Sequence, residues 1–249
     1  MNLIRQERIK EYIENKSVAT IKEIQGLFPD ISLMTIHRDL NALELQGIIT
    51  KHRGMVKFAR YKEDVDFQVR MEENNPGKLS IVKKAITLLQ PHSSVFLDAG
   101  TSTLVLAKNL PDISLNVVTT SPSIALEICR LHNPSVTLCC GTMSRKNLSV
   151  SGINTLEMLQ KINIDIAFIG VSGYSESAGF TCGTEGDMLI KRLVLDKARM
   201  SVMLCGAEKL NRLMPYTFGN IEDADYIVTD GPMPEEFILA AEKANTKLL

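Results

Sequence analysis

Along the first part of the chain the apolar positions recur at three- and four-residue intervals, the spacing of helices that bury one face. In the opening stretch Ile4, Ile9 and Ile13 mark an apolar side, while Arg5, Arg8, Lys10, Glu11 and Glu14 point outward. A second helix starts at Thr20, a hydroxyl residue suited to an N-cap, and carries Ile21, Ile24 and Leu27. Ser32 caps a third helix after the Pro29-Asp30 turn, which directs Leu33, Ile36, Leu40 and Leu43 inward and stops at Gly47. None of these helices hides its stripe alone, so they pack as one unit, and the connection at residues 28–31 has helix-turn-helix length. The segment IITKHRGMVKF places two apolar-rich arms around His52-Arg53-Gly54 and reads as a β-hairpin wing. Residues 1–58 are therefore expected to form a winged helix-turn-helix.

Beyond the wing the pattern changes. Residues 59–75 are mainly polar and read as a linker, and Pro76-Gly77 punctuates the start of a helix over Lys78–Leu89. From there, short apolar runs alternate with helical stretches: VFLDAG (95–100), NVVTT (116–120), VTLCC (136–140), IAFIG (166–170), SVMLC (201–205) and YIVTD (226–230). Runs that are apolar throughout suit strands covered on both faces, and their spacing leaves room for crossover helices. Residues 76–249 are expected to be an α/β domain with a mostly parallel sheet.

Charge sharpens this division. The 249 residues carry a formal net charge of -1, but residues 1–60 hold 10 Lys and Arg against 7 Asp and Glu, leaving 18 against 22 for the rest. The basic part is the winged unit, which points to a polyanionic partner. No apolar run has membrane-spanning length, and the start, MNLIRQERIKEYIENK, lacks the apolar stretch of a signal peptide, so the expected location is cytoplasmic with no membrane partner. Five cysteines, three of them in strand-like runs, suit reduced buried thiols better than a disulfide framework.

Candidate chemistry falls into two groups. With Ile36, Leu40 and Leu43 inside, the third helix presents Met34, Thr35, His37, Arg38 and Asn41, which suit base edges in the major groove of double-stranded DNA. Lys51, His52, Arg53 and Lys57 on the wing are placed for phosphates, as are Thr20 and Lys22 at the start of the second helix. In parallel sheets small ligands sit beyond the carboxyl ends of strands. Asp98-Ala99-Gly100-Thr101-Ser102-Thr103 follows one strand and opens a helix, an outline of an anion cup. Thr119 and Ser121, Arg145, Gly170 with Gly173, and Lys191 follow later strands, so that hydroxyls, amides and a cation suit a phosphorylated polyol. No GK[ST] ending and no GxGxxG occurs, which excludes ATP and NAD sites of the usual kinds, and no cofactor is expected. His92 and His132 are isolated, and no metal site is expected either.

The stretch TIHRDLNALELQGIITKHRGMV resembles the helix-turn-helix of DeoR-type bacterial transcriptional regulators. Thr35, Ile36, Arg38, Asp39, Leu40, Leu43, Glu44 and Gly47 stand where that pattern asks for them; His37 replaces an arginine, and Arg53-Gly54 a Gly-Gly pair. The segments VFLDAGTSTLVLAKNL, LNVVTTSPSIALEI, CGTMSRKNLSVSG and DIAFIGVSGYSESAGFT are similar to the same family's effector domain, which resembles ribose-5-phosphate isomerase in fold. The resemblance implies a repressor of carbohydrate genes, dimeric or tetrameric, whose operator affinity responds to a phosphorylated sugar. It implicates Asp98, Gly100, Thr101, Ser102, Thr103, Thr119, Ser121, Arg145, Asp165, Gly170, Gly173 and Lys191 in effector binding. Three positions depart from it: Asp187 for a glutamate, Cys140 for a glycine, and Gly206-Ala207-Glu208-Lys209 for a DxSK segment. An isomerase-like enzyme is the alternative, with Asp98, Asp165, Glu185 and Asp187 as candidate bases and Lys191 as electrophile. The isomerase's Asp-Glu pair has no counterpart in VSGYS after IAFIG, so no catalytic residue is assigned.

Overall fold

A computed structural model describes residues 2–16, 18–45, 48–52, 54–58 and 67–249. The chain separates into two units, the first built from its opening elements and the second beginning with the helix at Phe67. Gly47, Arg53 and residues 59–66 of the predicted linker lie outside the described residues, and His52 enters only through its strand.

The first unit runs α1 (Asn2–Lys16), β1 (Val18–Thr20), α2 (Ile21–Gly26), α3 (Leu33–Leu45), β2 (Ile49–His52) and β3 (Met55–Phe58). Ile9, Ile13, Ile24, Ile36, Leu40, Leu43 and Val56 meet in its core, the predicted stripes closing on one another. Ile4 and Leu33 do not join them and are 71% and 42% exposed. Ile4 precedes Ile9 by five residues, which at about 100° per residue puts it on another face; Leu33, first in α3, sits on the shoulder of its stripe. Thr20 caps α2 through a reciprocal box, its Oγ1 accepting the Glu23 N–H at 3.2 Å while Glu23 accepts the Thr20 N–H at 2.8 Å. Ser32 accepts the Thr35 N–H at 3.3 Å and caps α3. The wing hairpin forms as expected, and β1, too short to be read from periodicity, adds a third strand antiparallel to β3. Fully buried Asp39 on α3 receives Arg5 and Gln6 of α1, tying the two helices together.

The second unit begins with α4 (Phe67–Glu72) and α5 (Asn75–Ala85). Residues 67–72 thus correct the linker expectation, because they form a helix whose Phe67 is buried in this unit's core, with Met71 packed against it. Pro76 lies in the first turn of α5 instead of before it, a place where its missing N–H costs nothing, and Asn74 caps the helix through the Gly77 N–H at 3.2 Å. The following elements are β4 (Ser94–Leu97), α6 (Thr101–Lys108), β5 (Asn116–Thr119), α7 (Pro122–Ile128) and β6 (Ser135–Leu138). A hairpin of β7 (Thr142–Met143) and β8 (Val150–Ser151) leads to α8 (Ile153–Gln160) and β9 (Ile166–Gly170). Then come β10 (Gly173–Ser175), β11 (Gly179–Cys182), α9 (Glu185–Lys197), β12 (Met200–Leu204) and β13 (Tyr216–Gly219). The chain closes with β14 (Tyr226–Val228), α10 (Glu235–Lys243) and β15 (Lys247–Leu248).

Among the described residues, seven strands form one sheet in the order β15-β14-β12-β9-β4-β5-β6, every neighbouring pair parallel. Alternate residues serve opposite layers: Phe96, Ala167, Ile169 and Met203 join one core, Val95, Leu97, Phe168 and Leu204 the other. This is why the strands read as unbroken apolar runs. Edge strand β6 is the exception, with Leu138 43% exposed, since it has a neighbour on one side only. A smaller antiparallel sheet, β10-β11-β13, was not legible in the sequence. The strand order reverses between β4 and β9, and at such a switch point the carboxyl ends of the strands diverge to leave a crevice. Among the described residues no helix is long and apolar enough to cross a membrane.

Candidate functional site

On the first unit, α3 presents the predicted reading face. Met34 is 82% exposed, Arg38 and Asn41 are exposed, and Thr35 and His37 are half-buried. Lys22 and Lys57 are also exposed. Two of the predicted contacts already have partners: the Thr35 hydroxyl bonds Ser32 Oγ at 2.9 Å, and Thr20 is occupied by the capping box. Lys51 reaches from β2 to α3, where its ammonium donates to Asn41 Oδ1 and lies 3.4 Å from Glu44.

On the second unit, the turn between β4 and α6 meets the end of β9. Asp98 leaves β4 and accepts the Gly170 N–H at 3.0 Å, and Lys191 of α9 donates to the same Oδ2 and, at 2.8 Å, to the Gly170 carbonyl. Both charged side chains are almost wholly buried. Burial is the largest single influence and opposes the ammonium of Lys191, but Asp98 together with Cys182 and Asp187 outweighs it and holds the lysine above its ordinary pKa. The ammonium also lies 5.2 Å from the centroid of the Phe218 ring. A Cβ would be a tight fit at both glycines, 3.3 Å from Thr103 Oγ1 on Gly100 and 3.3 Å from Asp98 Oδ2 on Gly170.

The hydroxyls of this turn divide into two kinds. Thr103 Oγ1 accepts the Gly100 N–H at 2.9 Å and reaches the carbonyls of Asp98 and Gly100, so it shapes the turn from within. Thr119 donates to Leu97 O at 2.7 Å and Ser121 caps α7, which likewise commits them to the framework. Thr101 and Ser102 stand in the first turn of α6, where helix N–H groups lack intrahelical partners and favour an anion.

Three predicted positions fall elsewhere. Asp165 precedes β9, accepts the Ser94 N–H at 2.9 Å and faces Arg199 at 3.4 Å; it belongs to the amino edge of the sheet, at the other end of the strand from Gly170. The expectation that it joins Asp98 is corrected, because a residue before a parallel strand and one after it are separated by the strand's length. Gly173 lies in β10, its carbonyl accepting from Thr181 Oγ1 at 3.1 Å. Arg145 is exposed in the loop between β7 and β8.

That loop contributes residues the sequence did not single out. Asn147 donates to Asp187 Oδ2 at 3.0 Å, and Ser149 lies 3.4 Å from its other oxygen, one helical turn before Lys191. On its other side Asn147 Oδ1 receives Arg70 of α4 at 3.5 Å, and Lys146 O accepts the Phe67 N–H at 3.1 Å. The i, i+4 spacing of Asp187 and Lys191 was a readable sign of a shared helix face; Asn147 carried none. Cys182 is buried in the same neighbourhood, and desolvation pushes its thiol up to about 12. Cys205 is held at about 12 and Cys139 at about 11 by burial, so these thiols are poor nucleophiles, while Cys129 and Cys140 are exposed.

The departure at residues 206–209 also has a geometric reading. The Glu208 carboxylate folds back over Gly206, where any Cβ would overlap it, and accepts from Asn74 Nδ2 at 3.1 Å. Asn74 donates to Asp230 at 3.0 Å as well, so the junction of α4 and α5 is fastened to the carboxyl ends of β12 and β14. A separate cleft of about 590 Å³, lined in part by Tyr174, Glu176, Asn220 and Lys243, contains none of the predicted residues. Among the described residues no group of three His, Cys, Asp or Glu side chains is placed to hold a metal ion.

Two family models match the chain: the DeoR-like helix-turn-helix domain over residues 5–61 and the DeoR C terminal sensor domain over residues 73–231. The chain is 32% identical to the helix-turn-helix transcriptional regulator YgbI of Escherichia coli over 98% of its length and 96% of that protein's. It is 26% identical to the L-fucose operon activator of the same organism, over 92% of this chain and 96% of the other. A solved ribose 5-phosphate isomerase A from Methanocaldococcus jannaschii aligns over 53% of each chain at 18% identity with a TM-score of 0.40, a likeness too partial to carry an argument. With a winged reading head followed by a parallel-sheet sensor domain, and both models matched in that order, this chain belongs to the DeoR family of transcriptional regulators.

Proposed function

We propose that this regulator is a repressor of carbohydrate genes whose affinity for its operator is modulated by a phosphorylated sugar bound at the β4–β9 switch point. The observation that carries this reading is the meeting of Asp98, Gly170 and buried Lys191 beside the first turn of α6. The ion pair is internally neutral, so it adds little attraction for an anion from a distance. Phosphate binding falls to the N–H groups of α6, with Thr101 and Ser102, while Asp98 suits the donor hydroxyls of a polyol. Such a pocket selects a small ligand with one anionic end against the domain's negative total charge.

A route from ligand to DNA is supported by the contacts around Asp187. Ligand-induced movement of the α9 turn holding Asp187 and Lys191 acts on Asn147, and through it on α4, the first described element after the connection between the units. In this reading the protein acts as a dimer or higher oligomer, because paired half-sites at fixed spacing convert a change in placement into a change in affinity. Repression released by the ligand is the direction proposed.

The test is titration, at fixed salt, of a labelled duplex from the promoter region beside the gene, with and without a panel of sugar phosphates and their unphosphorylated sugars. At least one phosphorylated member is expected to raise the thermal midpoint and weaken operator binding, and Thr101→Ala is expected to remove both effects while leaving ligand-free DNA binding intact. A panel that shifts neither quantity, or shifts both equally in the variant, overturns the site.

A further inference from the structure

The contact between the wing and α3 constrains what one residue of the reading face can recognise. Lys51 carries only donors, so the oxygen of the Asn41 amide must be the atom turned toward it and the Nδ2 group must point away. Glu44 holds the arrangement: its Oε1 accepts the Lys51 backbone N–H at 2.8 Å, and its Oε2 lies 3.4 Å from the ammonium. Both carboxylate oxygens of Glu44 are therefore engaged by Lys51, which also binds the amide oxygen of Asn41.

We infer that Asn41, its amide oxygen held against Lys51 and its NH₂ turned outward, specifies guanine at its position in the operator. The inference rests on the proposed reading in which the outer face of α3 meets base edges. An asparagine free at both ends pairs with adenine, giving a hydrogen to N7 and accepting one from the exocyclic amine. Here the amide oxygen already faces the Lys51 ammonium, so although one of its two lone pairs stays open, adenine's amine would bring a further donor up against that cation. What remains is the amide NH₂ of Asn41 and the ammonium hydrogen of Lys51 directed neither to Asn41 nor to Glu44. Two adjacent donors match the two adjacent acceptors of guanine, N7 and O6, while the amine of adenine would meet a donor. Lys51 in this arrangement sets sequence preference through Asn41, and its charge, shared with Glu44, contributes little to phosphate attraction.

Selection of bound sequences from a randomised duplex library, using the full-length protein, tests this. The wild type is expected to enrich guanine at one position of each half-site, and Asn41→Ala to reduce that preference by about fivefold or more, the low end for loss of a two-bond base contact. Lys51→Met frees the amide oxygen and is expected to switch the same position from guanine to adenine with the rest of the site unchanged. Lys51→Arg, which can still donate to Asn41, is expected to keep guanine. Should Lys51→Met weaken all sequences equally and flatten the salt dependence with preference unaltered, the lysine is a phosphate contact and the inference is overturned. It is equally overturned if Asn41→Ala alters no position, or if the wild type prefers adenine there. A wild type that enriches no sequence would instead sink the reading of α3 as the base-contacting helix.

Discussion

Lys191 and Asp98 are 93 residues apart in the chain and joined at the switch point, and their burial gives the pair a measurable energetic character. Removing one member of a buried ion pair leaves the other charge uncompensated, which typically costs about 3–5 kcal/mol, whereas removing both together costs far less. Lys191→Met is thus expected to lower unfolding stability by about 3 kcal/mol or more, and Asp98→Asn with Lys191→Met by less than the sum of the two single changes. Chemical denaturation of the four proteins measures this, and strict additivity would show that the two charges do not interact. The pKa of Lys191 is raised, so the pair's contribution is complete below the ordinary lysine value and is lost only as alkaline pH passes the higher folded value. Asp98 and Lys191 were each recognisable as residues worth noting. Their contact was not, because nothing local in either segment encodes a partner so far along the chain.

Elements were more legible than contacts. All six apolar runs became strands of the large sheet, and Thr20 and Ser32 both became caps, since periodicity and capping are set within a few residues. The cap of α2 is a place to test this locality. Glu23 is held at about 2, well below the ordinary glutamate value, by Lys16 first and then by the Thr20 N–H. A lowered carboxylate pKa stabilises the folded state above the unfolded value and loses that contribution as pH falls toward the folded one. The capping contribution should therefore be intact at neutral pH and disappear between about 4.5 and about 2. Resonances of the Glu23 carboxyl in the full-length protein are expected to titrate near the lower value, and a midpoint near 4.5 would refute the ion pair. Thr20→Ala is expected to cost about 1 kcal/mol, the usual scale for a lost N-cap. Elements that escaped the sequence, such as β7, β8 and β10, are two or three residues long, too short for any repeat to declare itself.

At the scale of the molecule, Asn147 links the α9 turn carrying the candidate effector residues to α4, beside the connection between the units. Asn147→Ala is expected to leave ligand binding and ligand-free operator binding within about twofold of wild type, while removing most of the ligand-induced change in operator affinity, typically about 1–3 kcal/mol of coupling in such systems. Parallel titrations of ligand and DNA measure both, and an undiminished ligand response would exclude Asn147 from the route. The two-unit division and the character of each unit were determined by the sequence alone. Apolar spacing, caps and the uneven distribution of a total charge of -1 are local properties, written in consecutive residues. Tertiary structure alone decided that Asp165 lies at the opposite edge from Asp98, that residues 67–72 belong to the sensor core, and that Lys51 occupies the oxygen of Asn41. The reason is physical: strand order and side-chain pairing arise from long-range packing and partner choice, which no window of sequence contains.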